Sequence, residues 1–152
     1  MKCHDRRTPR RLIGSKRHLN LFVGDSKPVS GLNANDTTQR GYTLSHQIYV
    51  WQSGVDVTPN GVLLYVGGLR LNITTLANLL VRADVVRAME LDINTDWVNF
   101  ATYDPSSATT PATAANGSDL LSDIVGTPAH CFETWWPRDF FTMSARRGTS
   151  GR

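Results

Sequence analysis

Apolar and polar side chains alternate along most of the chain in short runs, and one run departs from that period. A period of two sends successive side chains to opposite faces of a strand, whereas apolar spacings of three and four share one face of a helix. Leu19–Gly24 (LNLFVG) has the apolar character of a short strand. Ser26–Gly41 is rich in Gly, Asn, Asp, Thr and Ser and reads as a loop. Tyr42–Trp51 (YTLSHQIYVW) alternates and predicts a strand, with Leu44, His46, Ile48 and Val50 on one face and Thr43, Ser45, Gln47, Tyr49 and Trp51 on the other. His46 on that apolar face is expected to be a hydrogen-bonded core histidine.

Thr58–Gly61 (TPNG) places Pro where a turn needs a preset φ and Gly where it needs tolerance of positive φ. With the buried-strand run Val62–Val66 it predicts a hairpin. Gly67 and Gly68 break that run, and Leu69, Leu71 and Ile73 then align again, so a bulge or sharp bend is expected at the glycines. The run that departs from alternation follows. Leu76, Leu79, Leu80, Ala83, Val86 and Met89 recur at spacings of three and four, with Arg82, Asp84, Arg87 and Glu90 mostly off the stripe. One amphipathic helix from Thr75 to Glu90 is predicted, capped by Thr74 or Thr75, and its stripe reads as core.

Leu91–Tyr103 returns to strand character, with a change of parity at Val98 and Phe100 that implies a bulge or a change of sheet. Asp104–Asp119 contains no large apolar residue and is expected to be an exposed low-complexity loop leaving one end of a sheet. Leu120–Gly126 suits a short helix or strand, and His130–Ala145 reads as an aromatic strand interrupted by Pro137. No internal repeat is present. The fold class expected is mainly β: an antiparallel sandwich or barrel, jelly-roll-like, of about six to eight short strands with one amphipathic helix inserted. At 152 residues the chain suits one domain, residues 19–141, with an arm at 1–18 and a tail at 142–152.

Charge changes the picture of the two ends. Residues 1–18 carry seven bases (Lys2, Arg6, Arg7, Arg10, Arg11, Lys16, Arg17) and one acid, Asp5, for a net +6. Residues 19–141 carry six bases and twelve acids, and residues 142–152 add Arg146, Arg147 and Arg152. The basic excess therefore flanks an acidic body, and phosphate binding is expected from the termini rather than from a broad folded surface. An arm neutralising seven phosphates would give a salt slope near about −5 to −6. No aromatic residue interleaves the first eighteen positions, so base stacking is not expected there. An organelle address and a thread between neighbouring subunits are the competing uses of such an arm.

Candidate chemistry is sparse. Two cysteines, Cys3 and Cys131, are too few for a disulfide framework, and without a hydrophobic signal segment the three Asn-x-Ser/Thr sequons are expected to stay unmodified in a reducing interior. Asp92, Asn94 and Asp96 open like a calcium loop, but Trp97 and Tyr103 stand where that loop needs Gly and a bidentate Glu. In a strand the three would share a face, expected to be a solvated polar face, with a looser hard-cation site between subunits as the alternative. Cys3-His4 and His130-Cys131 are adjacent pairs whose side chains diverge, which suits neither zinc nor a base–nucleophile pair. No nucleophile elbow, phosphate loop, dinucleotide-binding glycine pattern or H-E-x-x-H occurs.

Trp135, Trp136, Phe140 and Phe141 crowd into seven positions. In a strand one of each adjacent pair faces outward, and such residues are typical interface anchors. The layout of basic arm, β body with polar loops and absent catalytic motif is similar to that of small viral coat proteins and other virion components. That resemblance implies a non-enzymatic structural subunit located in a virion and assembled in the host cell interior. Its expected partners are copies of itself, other structural subunits and nucleic acid, with no cofactor, membrane or small-molecule substrate. A small RNA-binding protein of a ribonucleoprotein particle is the alternative, and an enzyme of unknown reaction the third.

Overall fold

The computed structural model describes residues 21–35, 37, 42–104, 110–135 and 142–143. The chain divides into two compact units, one up to Val98 and one from Asn99. The first holds a curled antiparallel sheet of β1 (Leu21–Gly24), β2 (Lys27–Pro28), β3 (Val50–Val57), β4 (Leu63–Leu71) and β5 (Arg87–Ile93), in the order β2-β1-β5-β3-β4. Its helix is α1 (Ile73–Arg82). The mainly β class expected from the alternation is therefore present.

The β3–β4 hairpin forms where Pro and Gly placed it. Gly61 takes φ +80°, its N–H donates to the Thr58 carbonyl at 2.9 Å, and Val57 pairs with Leu63. Gly67 and Gly68 stay in register opposite Ser53 and Gln52, and the ladder breaks just beyond them, where Arg70 takes φ +58° and Leu71 pairs with Val50. One side of the sheet carries the core. A Cβ built on Gly54 would lie 3.1 Å from both Leu80 Cδ1 and Phe22 Cζ, so the bare backbone there lets α1 and β1 close onto β3. Phe22, Val23, Ile73, Leu76, Ala77, Leu80, Val85 and Ala88 form the buried cluster.

Four sequence expectations are corrected in this unit. The helix begins at Ile73, with Asn72 rather than Thr74 or Thr75 as its cap, because the Asn72 Oδ1 accepts both the N–H (2.8 Å) and the hydroxyl (2.9 Å) of Thr75. It stops at Arg82 instead of Glu90. Asp84 takes the left-handed conformation at φ +61°, its N–H donates to Val81 O (3.1 Å), and Val85 N–H donates back to Leu80 O (3.3 Å). That is a Schellman stop with Asp in the position glycine usually fills. Val85 then packs with Leu80, and the chain turns into β5.

Tyr42–Trp51 is not a strand over its length. Leu44–His46 forms a 3₁₀ turn with Ser45 and His46 at φ +56° and +54°, and β3 starts only at Val50. The cause lies fifty residues away: the Asn94 carboxamide accepts the Leu44 N–H (2.8 Å) and donates to the Tyr42 carbonyl (3.0 Å). His46 is accordingly exposed, beside Thr37 and Tyr42, and is not a core histidine.

The second unit contains the hairpin β6 (Ala101–Tyr103) and β7 (Gly117–Asp119), with Thr102 opposite Ser118. The stretch expected to be loop through Asp119 thus ends in a strand. Before that strand, Thr113 N–H donates to Asn116 Oδ1 at 2.8 Å, and Asn116 Nδ2 donates to the Pro111 carbonyl at 3.1 Å. Leu120–Gly126 forms turns rather than a helix or strand. At the start of the expected aromatic strand, residues 130–132 instead belong to a 3₁₀ helix, Pro128–Phe132, started by a reciprocal cap in which Thr127 N–H donates to His130 Nδ1 at 3.2 Å, and residues 136–141 and 144–145 of that expectation lie outside the described residues. Among the described residues, no helix is long and apolar enough to cross a membrane.

Candidate functional sites

Of the residues singled out by charge and aromaticity, Lys2, Arg6, Arg7, Arg10, Arg11, Lys16, Arg17, Arg146, Arg147, Trp136, Phe140 and Phe141 lie outside the described residues. Trp135 is described and is 66% exposed, with its indole edge-on to the His130 ring at a centroid distance of 6.0 Å.

A second apolar surface was not legible in the sequence. Tyr49 immediately precedes β3, Asn94 immediately follows β5, and these antiparallel strands bring the two to the same end of the sheet. Asn94 holds Tyr42 and Leu44 there. Tyr42, Leu44, Tyr49 and Trp97 all expose large apolar groups, Tyr42 at 71%. Alternation had assigned the first three to a strand, so their common exposure depended on the Asn94 bonds.

The same asparagine overturns the shared strand face expected of Asp92, Asn94 and Asp96. β5 ends at Ile93, Asn94 is buried at φ +75°, and its carboxamide is committed to the backbone of Tyr42 and Leu44. The three side chains therefore do not share a strand face. Among the described residues, no group of three or more His, Cys, Asp or Glu side chains is placed to hold a metal ion.

Ionisable groups gather in the second unit around the Pro128–Phe132 turn. The Tyr103 hydroxyl donates to the Pro128 carbonyl at 2.7 Å, and its ring meets Phe132 edge-on at 5.4 Å. Burial pushes the Tyr103 phenol far above its ordinary value, reinforced by the Cys131 thiol beside it and then by Asp119. Asp119 is itself raised by burial, which the charge of a nearby His130 opposes. His130 Nε2 lies 3.9 Å from Glu133 Oε2. With His130 Nδ1 capping its own turn and Tyr103 bonded to the backbone, these groups brace the local fold.

In the first unit Asp56 is 3% exposed on the core side of β3. Its Oδ2 accepts the Arg87 N–H, while Oδ1 has no hydrogen-bond partner. Desolvation raises its pKa, against the opposing effects of the Val57 and Arg87 N–H groups and the Arg87 charge. An open groove of about 720 Å³ lies at the nearby strand ends, lined by Ser26, Thr58, Asn60, Val81 and Asp84 among others. No protein-family model, curated protein or solved structure matches the chain.

Proposed function

We propose that the chain is a non-enzymatic structural subunit of a large assembly, a capsid or other virion component of a virus or phage, whose basic termini contact packaged nucleic acid or neighbouring subunits. The supporting observation is surface apolarity: fourteen large apolar side chains are exposed among the described residues, four of them at one end of the sheet. A lone monomer gains nothing from such a surface, whereas subunit contacts bury it. The curl of the antiparallel sheet favours a barrel-like or jelly-roll-like body as the finer form of the fold. Trp135, with Trp136, Phe140 and Phe141, supplies candidate interface anchors.

The termini are tested by deleting residues 1–18. The acidic body left behind, with three C-terminal arginines, should bind nucleic acid weakly, and the salt slope should become shallower by about 5 to 6. Equal affinity and slope in both proteins would assign the arm to lacing between subunits. Electron microscopy of the full chain with nucleic acid separates the two leading readings. Closed shells of many copies support the capsid subunit, and one copy per particle supports a small RNA-binding protein of a ribonucleoprotein particle.

A further inference from the structure

Two Asn-Gly pairs occur in the sequence, Asn60-Gly61 at the tip of the β3–β4 hairpin and Asn116-Gly117 at the start of β7. Glycine has no Cβ to shield its amide nitrogen, so that nitrogen can reach the side-chain carbonyl of a preceding asparagine. The fold treats the two pairs differently.

Asn116 is held through its backbone and its side chain. Its N–H donates to Thr113 O at 3.2 Å, and its backbone carbonyl accepts the Asp104 N–H at 3.0 Å. Oδ1 accepts the Thr113 N–H at 2.8 Å, and Nδ2 donates to the Pro111 carbonyl at 3.1 Å. Pro128 and Tyr103 crowd Gly117 behind it, so the peptide between the two residues cannot turn. Asn60 is exposed between an exposed Pro59 and an exposed Gly61, and among the described residues its carboxamide has no hydrogen-bond partner. A Cβ on Gly61 would meet nothing within 4 Å, so this peptide has room to turn. One restraint opposes it: the Gly61 N–H donates to Thr58 O at 2.9 Å. A single such bond slows a reaction that must open it by about tenfold.

We propose that Asn60 is a modification site, at which the chain converts itself to aspartyl and isoaspartyl forms without an enzyme while Asn116 is spared. The Gly61 amide nitrogen, on losing its proton, attacks Asn60 Cγ. The new N–Cγ bond closes a five-membered imide as the Cγ–Nδ2 bond breaks, and the nitrogen leaves as ammonia with the proton returned to it. Water then opens the imide at either carbonyl, so the sum is one water consumed and one ammonia released, with no electron transfer. Opening at Cγ restores the main chain and leaves a carboxylate beside Asp84, in the groove that both residues line. Opening at the other carbonyl routes the main chain through Cγ and lengthens it inside the turn. That turn is closed by Thr58 N–H to Val62 O at 2.9 Å and by Val62 N–H to Thr58 Oγ1 at 3.1 Å, so the isoaspartyl form loses the hairpin closure. The site does not depend on the assembly role.

The test keeps the full chain in mildly alkaline buffer, folded in one sample and in urea in another, and follows the loss of each carboxamide by peptide mass spectrometry. Arg70, Arg82 and Arg87 separate the two sites on tryptic digestion. The urea sample gives each site's rate without the fold. Folding should slow Asn60 by about tenfold at most, and Asn116, with two side-chain bonds to open, by about a hundredfold or more. Asn60→Ser should remove most of the early ammonia release from the folded chain, and chromatography of the Asn60 peptide should resolve two products. Equal slowing of the two sites, or greater slowing of Asn60, would overturn the proposal. So would ammonia release that Asn60→Ser leaves unchanged.

Discussion

Asp56 and Asn94 are both buried polar side chains, and they carry opposite consequences. The Asp56 carboxyl is raised above the ordinary 3.8 chiefly by desolvation. Between that value and the raised one the folded chain binds more protons than the unfolded chain, so the contribution of Asp56 is fully present below the window and is lost as pH rises through it. Asp56→Asn retains an oxygen for the Arg87 N–H and carries no charge. Urea midpoints should therefore shift increasingly in favour of the variant as pH rises above 3.8. A gap that stays constant with pH would mean the carboxylate is not penalised in the fold. Asn94 instead adds order, with two bonds to a segment that has no strand of its own. Asn94→Gly keeps the positive φ and deletes both bonds, at a cost of about 1–3 kcal/mol. The expected readout is a lower melting temperature and new protease cuts between Tyr42 and Tyr49.

Elements in this protein end where side chains meet fixed neighbours, and Gly117 in β7 is the sharpest case. A Cβ there would stand 2.3 Å from Pro128 Cβ and 2.8 Å from Tyr103 Cε1. The proline ring is anchored in its own backbone and cannot swing away, so Gly117→Ala should displace the Pro128–Phe132 turn at about 1–3 kcal/mol. Faster labelling of Cys131 by a thiol reagent, in a Cys3→Ser background, measures that opening; an unchanged rate would show that the turn yields freely. Legibility follows the same logic. The β3–β4 hairpin was readable because Pro59 and Gly61 encode the turn locally. The helix was readable as an element but not at its end, since Asp84 stands where a glycine would signal the stop, and Val86 and Met89 continue the helical stripe by coincidence. The Tyr42–Trp51 turn was hidden because Asn94 decides it from fifty residues away. The Thr127–His130 cap was present in the sequence beside Pro128 and could have displaced the strand reading of residues 130–132.

At the scale of the whole molecule, folding capacity is unevenly shared. The apolar cluster from Phe22 to Ala88 and all five strands of the larger sheet lie within residues 19–98. Among the described residues of the second unit, the strands are two runs of three residues, and Ile124 is the buried large apolar side chain. A two-stranded hairpin is marginal alone, whereas a five-stranded sheet with a helix on one face can hold itself together. Residues 19–98 expressed alone should therefore unfold cooperatively in urea, and residues 99–152 alone should show no cooperative transition. Residues 19–98 also carry five bases against seven acids, without either basic terminus. That fragment should be folded and should not bind nucleic acid at any salt concentration. A folded fragment that binds nucleic acid would move the phosphate site from the termini onto the sheet, and an unfolded one would show that the second unit supplies stability to the first.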